Sequence, residues 1–465
     1  MPAQSFPPVG KQWNNPPWNH ENSHPAFEAV LLVIMLSWIA LLEGCQISIV
    51  GLQEIDMELY KHTHPRAYRC CQLVHKGPNV ERFLVGRQFL LLFNGFLASR
   101  VSGSRTAFYH VGDWEWDEWA VQIFWQNSAL LMVVIIALCQ LPTQLVACDK
   151  MLGFFELPFG HYYTVVLPCL FVESLGLTHS SYVLKDFLRW IAGIDSSQED
   201  PKKAMNKNWL HYLKCTLSIS AVLFTGTFLV KGLILQQTGA SDGPGWENLP
   251  GWATILITVL FLTIMACAEG LQVSAIALDP RVRKADLPDF EHTHPLAHAT
   301  CKLLYTGRNF QAFMVGRQTF VAMMMVLLGR ATGYAGSDGI LAPGGDWGMG
   351  VAFNEWFLQT GFCGAIFVVN VAQLATQVTA SIFPVSFINN RPLNWLLRIM
   401  LFTESTGVVN ACWPLSWALN WVFSLQKDPF ETTKTVEVVD LLDTAGAGQL
   451  APMSDHPELC RISAI

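Results

Sequence analysis

The sequence predicts an all-α polytopic membrane protein of nine to ten transmembrane helices, arranged as two inverted five-helix repeats. Three observations lead to this prediction. Of the 465 residues, 51% are hydrophobic and only 14% are charged, whereas a soluble domain has roughly a quarter charged residues. The apolar residues lie in blocks of about 20, the length of a bilayer-spanning helix. Several motifs also occur twice, in the same order.

The apolar blocks define the predicted spans. The last block is rich in tryptophan and contains Pro414, so it is either one tilted helix or two short ones. The nine blocks are 27–50, 82–100, 121–147, 161–184, 212–238, 251–278, 312–334, 355–383 and 395–424. They form a first transmembrane repeat at 27–238 and a second, inverted one at 251–425. Residues 1–26 are a polar segment, and 426–465 are a polar tail that we interpret as mostly disordered.

The charged residues indicate orientation but no charged partner. Loops 185–211 and 279–311 are both basic, and the positive-inside bias places them, with the N-terminus, in the cytoplasm. Loop 51–81 is also basic, although this count puts it on the opposite side. No basic cluster suggests nucleic acid. The 12 cysteines lie mostly in or beside spans, which argues against a secreted disulfide framework, and we expect Cys70 and Cys71 to be free thiols.

The duplication is visible in five sets of motifs. "HTHPRAYRCCQLVHKGPNVERFLVGRQ" at 62–88 and "HTHPLAHATCKLLYTGRNFQAFMVGRQ" at 292–318 share 14 of 27 positions without a gap. The other matched segments are EGCQ (43–46) with EGLQ (269–272), QLPTQLVA (140–147) with QLATQVTA (373–380), FVESLG (171–176) with FTESTG (402–407), and GDW at 112–114 and 345–347. Five predicted spans separate each motif from its copy. Because that number is odd, the second copy would be inverted, as in secondary transporters that bind substrate between two halves.

Each Glu-Gly-x-Gln motif places a carboxylate inside a predicted span. A carboxylate there costs on the order of 2.5–3.5 kcal/mol on insertion scales, so it must face protein, water or a cation. The glutamine lies three residues on and shares its helix face. The glycine permits close helix approach, or a helix break that frees carbonyl oxygens. The candidate binding residues are Glu43, Gly44, Gln46, Glu269, Gly270 and Gln272.

Each Gly-Arg-Gln motif opens another span. An arginine near a helix end often snorkels to the headgroups. Its repetition with glycine and glutamine favours ligand contact, because a guanidinium offers five donors in a rigid fork. It also permits an intramembrane ion pair with a motif glutamate. The candidate binding residues are Gly86, Arg87, Gln88, Gly316, Arg317 and Gln318.

Further polar side chains recur inside the spans and are secondary candidates. The glutamines lie with Thr143 and Thr376 on one helix face, which is typical of a polar path or of interhelical hydrogen bonds. Glu173 and Glu404 are open to the same two interpretations, a polar path or interhelical hydrogen bonds. The secondary candidates are Gln140, Gln144, Glu173, Gln373, Gln377 and Glu404.

The two His-Thr-His-Pro segments resemble pairs of metal ligands. An inverted arrangement would place His62 and His64 on the opposite face from His292 and His294, so they would not share one metal. We therefore expect an ordered loop in which proline fixes the turn. We expect no metal, no catalytic residue and no enzymatic activity. A His-dependent membrane metalloenzyme is the less favoured alternative.

With these motifs in view, the chain resembles the eukaryotic silicon transporters of diatoms and other silicifying protists. The resemblance covers about 27–424 and depends on the paired Glu-Gly-x-Gln and Gly-Arg-Gln motifs. It implies import of orthosilicic acid, coupled to sodium and linked to biosilicification. It implies a protein of the plasma membrane, with an intracellular vesicle membrane as the other location. Diatom members often end in a coiled coil, and residues 427–465 show no sustained heptad.

The chemistry of the motifs agrees with that resemblance. Orthosilicic acid is neutral and tetrahedral, and its four hydroxyls both donate and accept, so its site needs carboxylate, amide and guanidinium groups from several directions. A neutral solute needs a coupled ion to accumulate. We therefore expect sodium near Glu43 or Glu269, with no other cofactor, and alternating access around a midplane site. A borate carrier, a proton-coupled antiporter and a passive channel remain alternatives.

Overall fold

The computed structural model describes residues 25–102, 110–111, 114–115, 129–191, 207–238, 249–278, 290–307, 309–334, 353–358 and 360–423. Helices dominate these ranges. Two short strands, β1 (His110–Val111) and β2 (Trp114–Glu115), pair antiparallel with Val111 opposite Trp114. The segment before residue 25, the second Gly-Asp-Trp motif (345–347) and the tail after residue 423 lie outside the described residues.

The first copy of the duplication contributes seven helices. They are α1 (Pro25–Gly51), α2 (Pro65–Val74), α3 (Asn79–Ser102), α4 (Ala129–Val134, then π-helical Ile135–Gln140, then Leu141–Asp149), α5 (Met151–Glu156), α6 (π-helical Tyr162–Val166, then Leu167–Ser174) and α7 (Ser180–Ile191). Two 3₁₀ turns, Leu52–Glu54 and Met57–Leu59, follow α1.

The second copy repeats these helices in the same order, after a helix, α8 (Trp209–Ile234), that has no counterpart in the described part of the second copy. The repeated helices are α9 (Gly251–Ala277), α10 (Pro295–Leu304), α11 (Asn309–Thr332), α12 (Phe362–Val368, then π-helical Val369–Leu374, then Ala375–Ile382), α13 (Pro384–Ile388), α14 (Arg391–Ser405) and α15 (Cys412–Val422). Shorter turns occur at Phe290–Thr293 and Asn354–Leu358. Each of the seven helices of the first copy therefore has a counterpart in the second copy, in agreement with the duplicated motifs.

Six of the described helices are long and apolar enough to cross a membrane: α1, α4, α8, α9, α11 and α12. We add α3, which has the same 24-residue length as its copy α11 but carries twice as many charged residues. Exposed tryptophans at helix ends, such as Trp209 and Trp252, are typical of the membrane interfaces. The described residues thus contain seven long helices rather than the nine to ten predicted.

The two missing spans are pairs of short helices. Predicted span 161–184 consists of α6 and α7, and predicted span 395–424 consists of α14 and α15. Gly176 (φ 86°) and Gly407 (φ 74°) adopt the left-handed conformation just after α6 and α14, which ends each helix. Thirteen residues of α6 and twelve of α7 extend roughly 20 and 18 Å, less than the roughly 30 Å hydrocarbon core.

Two ionic contacts place the first short pair against the N-terminal end of α3. Glu173 near the end of α6 forms an ion pair with Arg82, and Lys185 in α7 forms one with Glu81. Both partners lie in the first turn of α3, so the junction between α6 and α7 lies at that end of α3. We call α6 with α7 the first re-entrant pair, and α14 with α15 the second re-entrant pair.

The helices α3 and α11, which are copies of each other, pack side by side in the same direction. A Cβ at Gly95 would overlap the thioether of Met325, its copy. Nearer their N-termini, Arg87 and Gln318 both reach the carboxylate of Glu43. In an antiparallel pair meeting at Gly95, Arg87 and Gln318 would be roughly 22 Å apart along the axis, too far to share one carboxylate. The pair is therefore parallel.

The expected inversion is therefore wrong. Four long helices, α1, α3, α4 and α8, precede the second copy in the described chain, and an even number returns the chain to the face where it began. Hydropathy counts the first re-entrant pair as a fifth span, and the predicted inversion depends on that count. The two copies are related by an axis along the membrane normal, the arrangement of parallel repeats.

This arrangement also resolves the charge distribution. The segments at the N-terminal ends of α3 and α11 and between α4 and α8 (52–78, 278–308 and 150–208) contain fifteen lysines and arginines, whereas the three segments at the opposite face (103–128, 235–250 and 333–353) contain only Arg105. By the positive-inside bias we expect the first face to be cytoplasmic, and we call it the cytoplasmic face. Loop 51–81 is no longer an exception. The start of α1 lies at the opposite face, so this bias favours for the N-terminus the side opposite to the one expected, and that side stays a prediction.

Candidate functional site

In the first copy, three helices bring a carboxylate, a guanidinium and an amide together. Glu43 projects from α1, Arg87 from α3 and Gln144 from α4. Arg87 Nη1 lies 3.5 Å from Glu43 Oε1, and Gln144 Nε2 donates to Glu43 Oε2 at 2.8 Å. The predicted intramembrane ion pair is present, and Gln144 is a direct partner of the carboxylate.

The second copy repeats the partners and the distances, except that both partners approach the same carboxylate oxygen. Arg317 Nη1 of α11 lies 3.5 Å from Glu269 Oε2 of α9. Gln377 Nε2 of α12 donates to Glu269 Oε2 at 2.9 Å. Because the copies share one sense in the membrane, the two carboxylates lie at the same depth, in the cytoplasmic half of their helices.

Both ion pairs are buried. Glu43, Arg87, Glu269 and Arg317 each expose between 3% and 6% of their surface, so neither arginine snorkels to a headgroup. Each arginine also donates through Nη2 to the glutamine that follows it, Gln88 at 2.6 Å in the first copy and Gln318 in the second. Two carboxylates and two guanidiniums leave the layer without net charge.

One contact joins the two sets. Gln318 Nε2, from the second copy, donates to Glu43 Oε1 at 3.4 Å, and Arg317 is close enough to Glu43 and Arg87 to interact with their charges. The two sets therefore form one polar layer between the halves, which we call the central layer. The link is one-sided, because Gln88 makes no corresponding bond to Glu269 among the described residues.

The four motif glycines have packing roles. A Cβ at Gly86 would overlap the backbone carbonyl oxygen of Cys169, and Gly316 has the same relation to Met400. The two remaining motif glycines face aromatic rings, Phe154 opposite Gly44 and Phe387 opposite Gly270. Because α1 and α9 run through their glycines unbroken, close helix approach is the correct interpretation and a helix break is wrong.

The remaining glutamines differ in burial. Gln46 and Gln272 are partly exposed and make no hydrogen bond within the described residues. Gln140 and Gln373 are 0% and 1% exposed, at the ends of the two π-helical segments. Neither the amide nitrogen nor the amide oxygen of Gln140 has a hydrogen-bond partner in the described chain, and Gln373 Oε1 has none there either. π-Helical turns often occur at functional sites, and buried amides without partners are available to a ligand.

The two secondary glutamates are not part of the central layer. Glu173 binds Arg82, whose Nε lies 2.7 Å from Glu173 Oε2. His179 Nε2 lies 3.5 Å from the other oxygen. Glu404, its copy, is partly exposed and has no ion-pair partner among the described residues. Both belong to the re-entrant pairs.

Sequence reasoning missed an aromatic cluster and a buried amide. The ring of Phe362 lies 5.7 Å from Phe89 and 5.4 Å from Phe93, just beyond Arg87 on the side away from the cytoplasm. Asn370, 5% exposed, lies within the π-helical part of α12. Asn370 was the more detectable of the two, since it is an unduplicated polar residue in an apolar run.

The His-Thr-His-Pro segments start helices. His64 and His294 precede α2 and α10, whose first residues are Pro65 and Pro295, and each histidine Nδ1 lies 3.0 Å from the preceding threonine hydroxyl. Proline suits that first helical position. No group of three or more metal-ligating side chains occurs among the residues searched, which are the described ones. The two segments lie on one membrane face, so their predicted separation is wrong.

The central layer offers donors and acceptors from both halves to a small uncharged hydroxylated solute. Comparison with known proteins agrees with this chemistry. A family model described as "Silicon transporter" matches residues 19–443. No curated protein and no solved structure matches the chain.

Proposed function

The chain belongs to the silicon transporter family and is a membrane transporter of silicic acid, and from this premise we propose that it imports the acid together with sodium by alternating access. The central layer is the proposed binding site. The observation that carries this assignment is the duplicated Glu-Arg-Gln set, buried and without net charge, which joins the two halves.

Silicic acid suits the unused hydrogen-bonding capacity of this layer. Arg87 Nε and Nη1 and Arg317 Nε make no hydrogen bond within the described residues. These donors, with the amide of Gln140, are complementary to hydroxyl groups that accept and donate in several directions. A neutral solute also leaves the charge balance of the layer unchanged, which keeps the desolvation cost of binding low.

Sodium coupling follows from competition for a carboxylate. In the ion pair, the guanidinium already neutralises the glutamate, so sodium is disfavoured there. When substrate oxygens accept hydrogen bonds from the arginine, the pairing weakens and the carboxylate becomes available to a cation. Substrate therefore raises sodium affinity, and by linkage sodium raises substrate affinity by the same factor, typically about 5–150-fold.

We assign the sodium to Glu269 rather than Glu43. Glu43 accepts from two amides, whereas Glu269 accepts only from Gln377 among the described residues. Thr143 beside the first set donates to the backbone oxygen of Cys139 at 2.6 Å. Its copy Thr376, which touches the Gly270 position, makes no such bond in the described chain. The second set therefore has an oxygen ligand to spare.

Alternating access between same-sense halves is a rocking of one half against the other, as in other parallel-repeat carriers. The cluster of Phe89, Phe93 and Phe362 closes the outer side of the central layer, and the re-entrant pairs flank it on the cytoplasmic side. Because the basic face is cytoplasmic, an inward sodium gradient drives import. We propose the plasma membrane as the location, since that membrane carries such a gradient.

Uptake into proteoliposomes tests the proposal. Silicic acid uptake should follow an inward sodium gradient, fall in potassium, and exceed boric acid uptake. Glu43→Gln and Arg87→Lys should each lower it several-fold, whereas Glu58→Gln, on the surface, serves as the matched control. Glu269→Gln should abolish the sodium dependence of silicic acid binding. Undiminished uptake in the Glu43 and Arg87 variants would remove the site assignment, and sodium-independent flux would remove the coupling.

A further inference from the structure

The first re-entrant pair is tied to α3 by two ionic contacts, of which only the one at Glu173 has a buried partner. The Glu173 carboxylate, 1% exposed, pairs with Arg82 and also faces His179. Lys185 of α7 pairs with Glu81 at 2.8 Å. Moving Glu173 away from Arg82 would leave a buried carboxylate without its cation, which is unfavourable. Any movement of this pair away from α3 would therefore break a costly contact.

The turn of the first pair is also held by the second half. Asn370 Nδ2 donates to the backbone oxygen of Leu177 at 3.1 Å, and Ser180 Oγ donates to Asn370 Oδ1 at 2.6 Å. Ser218 of α8 adds two more bonds: its Oγ donates to Leu177 O and accepts from the backbone N–H of Ser180, both at 2.9 Å. The turn is thus fixed from two sides.

The second re-entrant pair has lost each of these ties. The residues that make these contacts have counterparts in the other copy that cannot form them. The residues are Arg82, Glu81, His179, Ser180, Lys185 and Asn370. These counterparts are Ala312, Gln311, Asn410, Ala411, Ser416 and Ala137. Among the described residues of α14 and α15, one hydrogen bond leaves the pair, from Asn394 Nδ2 to Thr300 Oγ1 of α10 at 3.0 Å, and the bonds of segment 399–423 remain within the pair.

We propose that the second re-entrant pair is the moving gate on the cytoplasmic side, and that the first re-entrant pair is the fixed frame. Displacing α14 and α15 exchanges apolar contacts with protein for apolar contacts with lipid, which carries little penalty inside a membrane. The gate is next to the central layer, because Gly316, adjacent to Arg317, packs against the backbone of Met400 in α14. Its outward movement opens the Arg317 side first. The proposal rests on the proposed transport function and assigns its moving part.

Cysteine labelling provides a direct comparison of the two pairs. Cys412, at the start of α15, is 1% exposed, and its copy in the first pair, Ser181, is 3% exposed. In a background with the other cysteines replaced, one variant keeps Cys412 and the other carries Ser181→Cys with Cys412→Ser. In proteoliposomes, N-ethylmaleimide should label Cys412 at least tenfold faster. Adding silicic acid with sodium should change the labelling rate of Cys412 and leave the labelling rate at position 181 unchanged. Equal rates, or faster labelling at position 181, would overturn the proposal.

A second variant restores the missing tie. Ala312→Arg places a guanidinium where Arg82 stands in the first copy, opposite Glu404. Uptake and Cys412 labelling should both fall severalfold, while silicic acid still protects the protein from thermal unfolding. Adding Glu404→Gln should restore both rates. Failure of Glu404→Gln to restore them contradicts the gate. Because labelling needs no transport, loss of sodium dependence alone would reject the coupling proposal and leave the gate standing.

Discussion

The two buried ion pairs predict a difference in stability between matched variants. Arg87→Met leaves the Glu43 carboxylate with two amide donors, Gln144 at 2.8 Å and Gln318 at 3.4 Å. Arg317→Met leaves Glu269 with a single amide donor, from Gln377 at 2.9 Å, among the described residues. A buried carboxylate that loses its cation destabilises the fold by about 3–5 kcal/mol. Each remaining hydrogen bond to the charge offsets roughly 1.5–3 kcal/mol of its desolvation.

The expected values follow from this count of donors. Arg87→Met should lower the free energy of unfolding by about 3 kcal/mol, near the lower limit. Arg317→Met should lower it by about 1 kcal/mol more, since the extra bond to Glu43 is long and at the weak end of its range. The double variant Glu43→Gln/Arg87→Met removes both charges and should cost less than either single change, because neutral replacement of a buried pair is often tolerated.

Reversible unfolding in mixed micelles, followed by tryptophan fluorescence, measures these differences. The double-mutant cycle at Glu43 and Arg87 should give a coupling energy of about 3 kcal/mol. Glu58→Gln with Lys61→Met, an exposed pair at 2.9 Å, is the control cycle and should give less than about 1 kcal/mol. Additive effects at the buried pair would show that the two side chains do not pair in the membrane. Equal losses for the two arginine variants would refute the donor count.

Three further outcomes can be checked independently. Gly86→Ala drives a Cβ into a backbone carbonyl and should lower the free energy of unfolding by about 3 kcal/mol. In Gly95→Ala the new Cβ meets only the flexible end of a methionine, and the free energy of unfolding should fall by about 1 kcal/mol or less. Equal decreases for the two variants would contradict this packing. Burial raises the pKa of Cys70, which lies outside the spans, to about 12, so its thiol form stabilises the fold below pH 9 and this contribution is lost as pH rises from 9 towards 12. Thiol labelling of Cys70 at pH 8 should be on the order of a thousandfold slower in the folded than in the unfolded protein. Fast labelling of Cys70 in the folded protein would contradict this expectation. Cysteines introduced at Lys61 and at its copy Glu291 should react with an impermeant maleimide from the same side of a vesicle; reaction from opposite sides would restore the inverted arrangement.

The sequence was sufficient for the chemistry of the site but not for the orientation of its halves. Motif spacing identified Glu43, Arg87 and Gln144, and their contacts were predictable because helical periodicity places polar residues on defined faces. The relative orientation of the two copies depends on whether an odd or an even number of spans precedes the second copy. That number depends on whether the 24-residue apolar block 161–184 crosses the membrane. A single glycine, Gly176, decides that question. Hydropathy averages over a break of this kind and therefore counts the block as a span.

One sequence signal did oppose the inverted arrangement: the basic loop 51–81 on the supposed outer face. Charge bias is a cumulative signal over all short loops, so a single loop that violates it is evidence against the span count. Giving that loop its full weight would have favoured an even number of spans before the second copy. The structure reaches the same conclusion from an independent observation, the parallel packing of α3 against α11.

The differences between the copies matter as much as their similarity. An exact duplicate with both halves in one sense would have no reason to prefer one moving part, because each contact on one side would be matched on the other. The chain departs from that symmetry at Arg82, His179 and Asn370, which all hold the first re-entrant pair, and at Gln318, which gives Glu43 an extra donor. In our proposal, these departures hold the first re-entrant pair, leave the second free to move, and make the Glu269 carboxylate easier to release than Glu43. A sodium-coupled carrier needs just such an inequality, because the ion and the neutral solute must bind at distinguishable places within one layer.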